Sequence, residues 1–402
     1  MRKFDFETIY DRHGKDAIAL DALGMPGRPE GPDEGYSPIT MWIADMNFAT
    51  APSVVKAMEE RLKHPLFGYY PIKQEYYDAI IRWHRVRKGV EDLLPEHIMY
   101  ENGVLGGLVT ALHVLCSQGD NVLVHTPTYV GFTEALNSNG YHIVHSGLQR
   151  DEAGIWRMDF GDMEQKIVDN KIHAAIFCSP HNPTGRVWEP WEIEKAMALF
   201  EKYEVKVISD EIWSDIILTG YRHTPTQSVS AYAHKNTVAL YAPSKTFNLA
   251  GLIGSYSIVY DRVMRERMQK ESSLCHYNVM NVLSQYALIG GYSEEGMAWA
   301  DEMCEVITEN VNFALGFIRE HFEGVTVSDP QGTYVIFLDC ENWCKAHNMG
   351  IKELLSKGQH CGVIWQDGTA FGGEYTIRMN LASPMSMIRD AFDRLNRLVF
   401  QA

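Results

Sequence analysis

The chain has 402 residues, of which 46% are hydrophobic, 11% aromatic and 22% charged, enough for a buried core and more than one domain. A formal net charge of −16 argues against a nucleic-acid surface and favours small-molecule partners, although solubility alone also accounts for such a charge. Seven scattered cysteines argue against a disulfide framework and favour the cytoplasm. We expect neither a signal peptide nor a membrane span, because no segment reaches about 18 uncharged apolar residues.

A metal site is not expected. The nearest approach to a ligand cluster is Cys340, Cys344 and His347, and it lacks the second ligand pair that a structural zinc site needs.

The first 40 residues are polar and rich in Gly and Pro, which favours an extended arm. Short apolar segments then alternate with amphipathic ones, which is typical of crossover units in a mostly parallel sheet. Strands are predicted over 98–100, 121–127, 141–147, 174–180, 205–211 and 237–244. Helices are predicted over 51–63, 74–88, 103–116, 129–138, 160–169 and 189–203.

The pattern changes after residue 260 and predicts a smaller α+β unit. Its helices are expected over 262–290, 293–320 and 385–398. Its strands are expected over 325–330, 333–340, 362–368 and 375–382. No internal repeat is evident.

Polar side chains follow three successive strands of the predicted sheet. Asn182 follows AAIFC, Asp210 follows VKVI and Lys245 follows TVALY. Each one alone is more simply explained as a turn, capping or surface residue. Because the carboxyl ends of parallel strands meet at one edge, the three together predict a site there.

These motifs carry a family resemblance. HNPTG, SDEIWSD and SKTFNLAG resemble, in order, the three central motifs of the fold type I pyridoxal-phosphate enzymes, the aspartate aminotransferase superfamily. WIADMNF, FGYY and TPTYVGF are similar to the cystathionine β-lyase branch of the MalY/PatB type. The resemblance covers the chain from about Phe4 to its C-terminus.

The resemblance implies a pyridoxal-phosphate-dependent transferase-like α/β fold. The expected large domain, residues 51–290, holds a mostly parallel seven-stranded sheet flanked by helices. Residues 291–402 form the smaller α+β C-terminal domain, and residues 1–50 form an N-terminal arm that belongs with it.

The resemblance also implies the roles of the strand-end residues. Lys245 would hold pyridoxal 5'-phosphate as a Schiff base and later abstract the substrate α-proton, which needs an amine that is unprotonated part of the time. Asp210 would keep the pyridine nitrogen protonated. Asn182 would donate a hydrogen bond to the ring oxygen.

Further cofactor contacts are implied upstream and beside the lysine. Backbone N–H groups at a helix start suit a phosphate, and the residues expected there are Gly103, Val104 and Leu105. Ser244 is expected to bind the phosphate too, and Tyr129 to stack on the ring unless it is simply a core aromatic. Tyr69 would reach the phosphate of a neighbouring subunit, which implies a homodimer with shared active sites. Gly106 and Gly107 fit either ligand contact or tight helix packing equally well.

The substrate carboxylate needs a forked cation, and Arg378 matches the family's arginine; a strand-end salt bridge is the alternative. Ala44 would offer its backbone N–H to the same carboxylate. Three positions depart from family patterns: Trp213 replaces a tyrosine or histidine, Ile253 replaces the phosphate-binding arginine of many aminotransferases, and Asn47 replaces an aspartate. The lyase branch also lacks that arginine.

Three functions are compatible with these residues, and the missing arginine at Ile253 together with the lyase-like motifs favours the first. The first is a carbon–sulfur β-lyase that cleaves L-cystathionine or related L-cysteine S-conjugates to thiol, pyruvate and ammonia. The second is a class I/II aminotransferase, which shares the same residues as far as α-proton removal. The third is a regulatory or binding protein that has lost catalysis, against which the intact Lys245, Asp210 and Arg378 argue.

Overall fold

The computed structural model describes residues 2–275 and 278–401, with the backbone alone at Cys275. Within this described part, the main sheet has eight strands. In spatial order they are Ile98–Glu101, Ser255–Ile258, Thr237–Tyr241, Lys206–Asp210, Ala174–Cys178, Asn121–Thr126, His142–Arg150 and Trp156–Met158.

The sheet is parallel through its centre. Five adjacent strands pair in parallel with one another: Thr237–Tyr241, Lys206–Asp210, Ala174–Cys178, Asn121–Thr126 and His142–Arg150. Ser255–Ile258 runs antiparallel to both its neighbours, and Trp156–Met158 runs antiparallel at the other edge. The mostly parallel α/β fold is therefore confirmed, with one strand more than the seven expected. Neither Trp156–Met158 nor Ser255–Ile258 was predicted as a strand, because each is too short to show a period.

Helices cover both faces of this sheet. The helices of this part of the chain are Pro52–Leu62, Gln74–Lys88, Val104–Leu115, Val130–Ser138, Phe160–Asp169, Pro190–Lys202, Ala231–Asn236, Pro243–Thr246, Arg262–Cys275 and Val282–Gly291. Every residue of the strands Ala174–Cys178 and Thr237–Tyr241 is buried. Strands covered on both faces carry continuous apolar runs rather than alternating ones, which is why these segments are so apolar.

A second, antiparallel sheet forms from the C-terminal part of the chain. Its strands, in spatial order, are Thr326–Val327, Val335–Asp339, Thr376–Asn380 and Gln366–Asp367. Its helices are Glu294–His321, Glu341–Ala346, Ile351–His360 and Met385–Leu395.

The N-terminal arm joins this C-terminal part. After the single helical turn Ile18–Asp21, the strand Ile39–Thr40 pairs in parallel with Val363–Ile364. This pairing agrees with an arm that belongs to the smaller domain, while the domain boundaries at residues 50 and 290 stay predictions.

Three expectations for the C-terminal half were wrong in detail. The single helix expected over 262–290 is two helices, and Asn281 caps the second by accepting a hydrogen bond from the N–H of Leu283; residues 276 and 277 of that expected helix lie outside the described residues. The helices Glu341–Ala346 and Ile351–His360 were not expected. The last helix, expected over 385–398, is α-helical only over Met385–Leu395. A π-helical turn follows it over Asn396–Phe400.

Candidate active site

One cavity lies at the carboxyl ends of the central strands, with a volume of about 520 Å³. Its walls come from the main sheet, from the arm segment around residue 44 and from the second sheet. Of the residues expected in a site, the structure brings ten together here: Lys245, Asp210, Asn182, Tyr129, Gly103, Val104, Leu105, Ser244, Arg378 and Ala44.

Lys245 lies in the short helix Pro243–Thr246, directly after the strand Thr237–Tyr241. Its Nζ donates a hydrogen bond to the carbonyl oxygen of Ala44 across 2.7 Å. Burial and the positive charge of Arg378 lower the pKa of Lys245 to about 8, against the opposing pull of Asp45 and Asp210. At neutral pH roughly a tenth of the amine is therefore unprotonated, far more than for an ordinary lysine.

Asp210 ends the strand Lys206–Asp210 and is almost fully buried. Its Oδ1 accepts one hydrogen bond, from the backbone N–H of Ile212 across 3.0 Å. Burial raises the pKa of Asp210 to about 7, although the charge of Lys245 pulls it the other way. A cationic group placed beside this carboxyl would keep it ionised.

The helix Val104–Leu115 begins at the cavity wall. Gly103 precedes it with φ +84°, a backbone conformation that favours glycine. The N–H of Gly107 donates to the carbonyl of Gly103 across 3.1 Å, so the N–H groups of Val104 and Leu105 come before the first bond of the helix. Ser244 lines the same cavity, and a helix start of this kind suits an anion.

Two glycines near this helix start serve close packing. A Cβ on Gly107 would lie 2.8 Å from Leu240 and 3.0 Å from Glu101, so tight packing explains this glycine. A Cβ on Gly131 would lie 2.5 Å from the ring of Tyr129. Gly131 thus allows the Tyr129 ring its place in the cavity wall.

Arg378 is buried in the strand Thr376–Asn380. Its Nη1 donates to the side-chain oxygen of Asn182 across 3.1 Å, and its Nη2 donates to the carbonyl of Trp42 across 3.3 Å. None of the ion pairs among the described residues involves Arg378, so the salt-bridge alternative finds no support. Burial lowers its pKa to about 10. A buried guanidinium without an anionic partner suits a ligand carboxylate.

Tyr69 does not join the cavity. It is fully exposed and lines a separate surface hollow with Phe67 and Met280. Its expected contact with a neighbouring subunit lies beyond a single chain and stays a prediction.

The three positions that depart from family patterns differ in their surroundings. Trp213 is buried and lines the cavity. Ile253 also lines it, half exposed, with φ +51°, which is unusual for a β-branched residue. Asn47 lies outside the cavity lining, where it accepts from Arg12 and donates to Ser383, each across 2.7 Å.

Sequence reasoning missed several residues of this cavity. The ring of Phe371 packs against the Arg378 guanidinium, and its centre lies 4.7 Å from Cζ of Arg378. Gln366 faces Arg378 across the antiparallel pair of strands, and its Oε1 is buried without a hydrogen-bond partner in the described part of the chain. Outside the cavity lining, the hydroxyl of Tyr334 donates a hydrogen bond to the carbonyl oxygen of Ala44. A correct strand register would have identified Gln366, because residues opposite each other point to the same face.

The chain matches the family model of aminotransferase class I and II over residues 39–395. It belongs to the aminotransferase class I and II family. Cystathionine beta-lyase PatB of Bacillus subtilis is 34% identical over 359 residues, covering 89% of this chain and 91% of that protein. The expected family membership is therefore confirmed.

Solved structures agree with this placement. The PLP-bound C-S lyase from Staphylococcus hominis superimposes with a TM-score of 0.88 and 28% identity, covering 99% of this chain and 98% of that one. Cystalysin from Treponema denticola, which contains a pyridoxal 5'-phosphate cofactor, gives a TM-score of 0.89 and 28% identity, covering 98% of both chains.

Proposed function

We propose that this member of the family is a pyridoxal 5'-phosphate-dependent carbon–sulfur β-lyase acting on L-cystathionine or related L-cysteine S-conjugates. The cavity itself carries the proposal, because three groups meet in it: a lysine whose pKa is lowered, a buried carboxyl, and a buried guanidinium that makes no ion pair within the described part of the chain.

The residues present fit this cofactor. Burial disfavours the ionised carboxyl of Asp210, and a protonated pyridine nitrogen beside it would stabilise the ionised form. The N–H groups of Val104 and Leu105, preceded by Gly103, suit its phosphate, as does Ser244. Tyr129 offers an aromatic face beside them, and Asn182 offers an amide.

Each chain group then has a part in the reaction. Bound pyridoxal phosphate supplies an electron-accepting ring that stabilises negative charge at the substrate Cα. Arg378 binds and orients the substrate carboxylate, with the Ala44 backbone beside it. Lys245, whose pKa is lowered to about 8, accepts the α-proton. The thiolate then leaves from Cβ, and water converts the remainder to pyruvate and ammonia.

The choice of the lyase over an aminotransferase is supported by the relatives. PatB is named a cystathionine beta-lyase, and the Staphylococcus hominis protein is named a C-S lyase. Ile253, an apolar side chain on the cavity wall, replaces the arginine of many aminotransferases. An aminotransferase acting on L-amino acids remains the second candidate, because the matching family model carries that description.

Incubation with L-cystathionine in the absence of any keto acid separates the two. The lyase releases pyruvate and a thiol together, measured with lactate dehydrogenase and a thiol reagent. Strict dependence on an added keto acid would instead identify an aminotransferase. Lys245→Ala is the matched negative control. It should abolish the turnover and also the visible absorbance of the lysine-bound cofactor, which in the wild type changes on reduction with borohydride.

Assembly and location extend the proposal. The exposed Tyr69 beside Phe67 supports a homodimer with shared active sites. In each subunit the arm and residues 291–402 form the smaller domain and residues 51–290 the larger.

The six cysteines with described side chains are free, which supports a cytoplasmic location. No helix among the described residues is long and apolar enough to cross a membrane.

A further inference from the structure

The carbonyl oxygen of Ala44 accepts two hydrogen bonds from distant parts of the chain. Lys245 Nζ donates across 2.7 Å, and the hydroxyl of Tyr334 donates across 2.8 Å. A carbonyl oxygen has two lone pairs, so these donors occupy both. Burial raises the pKa of Tyr334 well above its usual value, so its hydroxyl stays protonated and remains a donor.

Tyr334 is held rigidly in this position. It is only 1% exposed, and its ring meets Trp213 edge to face, with centroids 4.6 Å apart and planes at 76°. The Nζ of Lys245 lies 5.5 Å from the centre of the same Trp213 ring. The indole therefore packs against both donors of the shared carbonyl, and a Phe at position 334 could keep the ring contact.

The residue before Tyr334 is strained. Thr333 has φ +68°, a conformation that β-branched residues rarely adopt, and it is buried. Its N–H donates to the carbonyl of Ile216 across 2.8 Å, which holds the turn in place. Strain of this kind persists where the surrounding structure imposes it, and it concentrates at functional sites.

We propose that Tyr334 is a positioning residue that sets the orientation and the basicity of the Lys245 amine through the carbonyl oxygen of Ala44. This inference rests on the proposed function, in which Lys245 is the cofactor-binding amine and the base. It adds a residue from the second sheet to the groups that control that amine.

The direction of the effect follows from the shared acceptor. A carbonyl oxygen stabilises the charged ammonium form of a lysine. The Tyr334 hydroxyl draws on the same oxygen and makes it a weaker acceptor for Lys245, which favours the neutral amine. The other charges facing Lys245 are those of Arg378, Asp45 and Asp210, and Asp45 is itself paired with Arg12 across 2.6 Å.

Tyr334→Phe removes the hydroxyl and keeps the ring. We measure the rate at which the full-length apoprotein takes up pyridoxal phosphate, followed by visible absorbance over a range of pH, because only an unprotonated amine attacks the cofactor aldehyde. The pH at which the uptake rate is half-maximal should rise by about half a unit. Uptake at pH values below this midpoint then becomes roughly threefold slower. The acid limb of the pH profile for pyruvate release should move the same way.

Tyr256→Phe is the matched control. Tyr256 is equally buried, but its hydroxyl contacts His84 and Tyr292, so its loss should leave both midpoints unchanged. Replacement of Tyr334 by 3-fluorotyrosine tests the opposite sign with the native fold retained. Its more acidic hydroxyl is a better donor, and the uptake midpoint should move down.

An uptake midpoint in Tyr334→Phe equal to that of the wild type overturns the inference, even if the rate itself falls, because a merely structural role changes rate without changing the midpoint. Shifts in the same direction for both replacements overturn it too. If the midpoints move as expected but cystathionine yields no pyruvate, the proposed function fails and the role of Tyr334 stands.

Discussion

The guanidinium of Arg378 donates a hydrogen bond from Nη1 to the side-chain oxygen of Asn182 across 3.1 Å. The two residues lie 196 positions apart in the chain. One is proposed to bind the substrate carboxylate and the other the cofactor ring oxygen. Their contact means that each orients the other before any ligand arrives.

We expect Arg378→Lys to lower kcat/KM for cystathionine by about a hundredfold, because lysine keeps the charge but loses the planar fork. Asn182→Ala should also lower kcat/KM. The double variant should lose less than the product of the two single losses, since the residues are in contact. Steady-state kinetics on all four proteins measures this. Arg389→Lys, an exposed arginine outside the cavity, is the control. Fully multiplicative losses would contradict the coupling.

Asp210→Asn tests the buried carboxyl. Loss of the negative charge should lower kcat on the order of a hundredfold, because the ring nitrogen loses its partner. In the wild type the carboxylate is ionised above its raised pKa of about 7. Its contribution to cofactor affinity is therefore present above that pH and lost as the pH falls below it.

The pH dependence of the cofactor dissociation constant, measured by absorbance titration, separates the variants. It should be weaker in Asp210→Asn than in the wild type, while the exposed Asp169→Asn should behave as the wild type does. An identical pH dependence in Asp210→Asn would show that another group controls cofactor affinity.

Gly131→Ala tests the packing behind Tyr129. The new methyl group would lie 2.5 Å from the Tyr129 ring and 3.1 Å from Leu105, so the ring must move. We expect cofactor affinity to fall roughly tenfold. Gly147→Ala is the control, because nothing lies within 4 Å of a Cβ there. Fluorescence or absorbance titration gives the dissociation constant of pyridoxal phosphate for each variant. Equal constants would remove Tyr129 from the proposed cofactor contacts.

Lys88→Met tests a buried ion pair behind the site. Lys88 Nζ contacts Asp215 Oδ1 across 2.6 Å, and Asp215 also accepts from Thr246, the neighbour of Lys245, across 3.2 Å. Removing one partner leaves a buried charge, so the free energy of unfolding should fall by about 3–5 kcal/mol in urea titrations. Lys63→Met, at an exposed pair with Glu60, should leave the free energy of unfolding nearly unchanged, because solvent screens an exposed ion pair.

The same pair predicts a dependence of stability on pH. Burial alone would raise the pKa of Asp215, but the charges of Lys88 and Arg87 outweigh it and lower the pKa to about 2 from an ordinary value of 3.8. The ionised carboxylate thus stabilises the fold above the ordinary value, and this stability is lost as the pH falls toward 2. In Lys88→Met the loss over that range should be smaller. If both proteins lose the same free energy of unfolding over this pH range, Lys88 does not set the pKa of Asp215.

The sequence by itself determined the family, the alternation of the central parallel strands with their helices, and the residues that end those strands. Asn182, Asp210 and Lys245 follow contiguous apolar runs, and such runs are visible locally because each strand is buried on both faces. A parallel sheet then requires their ends to meet at one edge.

Only the tertiary structure decided which partners these side chains have. Ala44 meets Lys245 across 201 positions of the chain, and Tyr334 meets Ala44 across 290. Gln366 faces Arg378 through a strand of two residues, too short to have a readable period. These contacts depend on how the arm and the second sheet pack over the cavity, and no local pattern encodes that packing. The basicity of Lys245 is therefore a property of the assembled fold rather than of its motif.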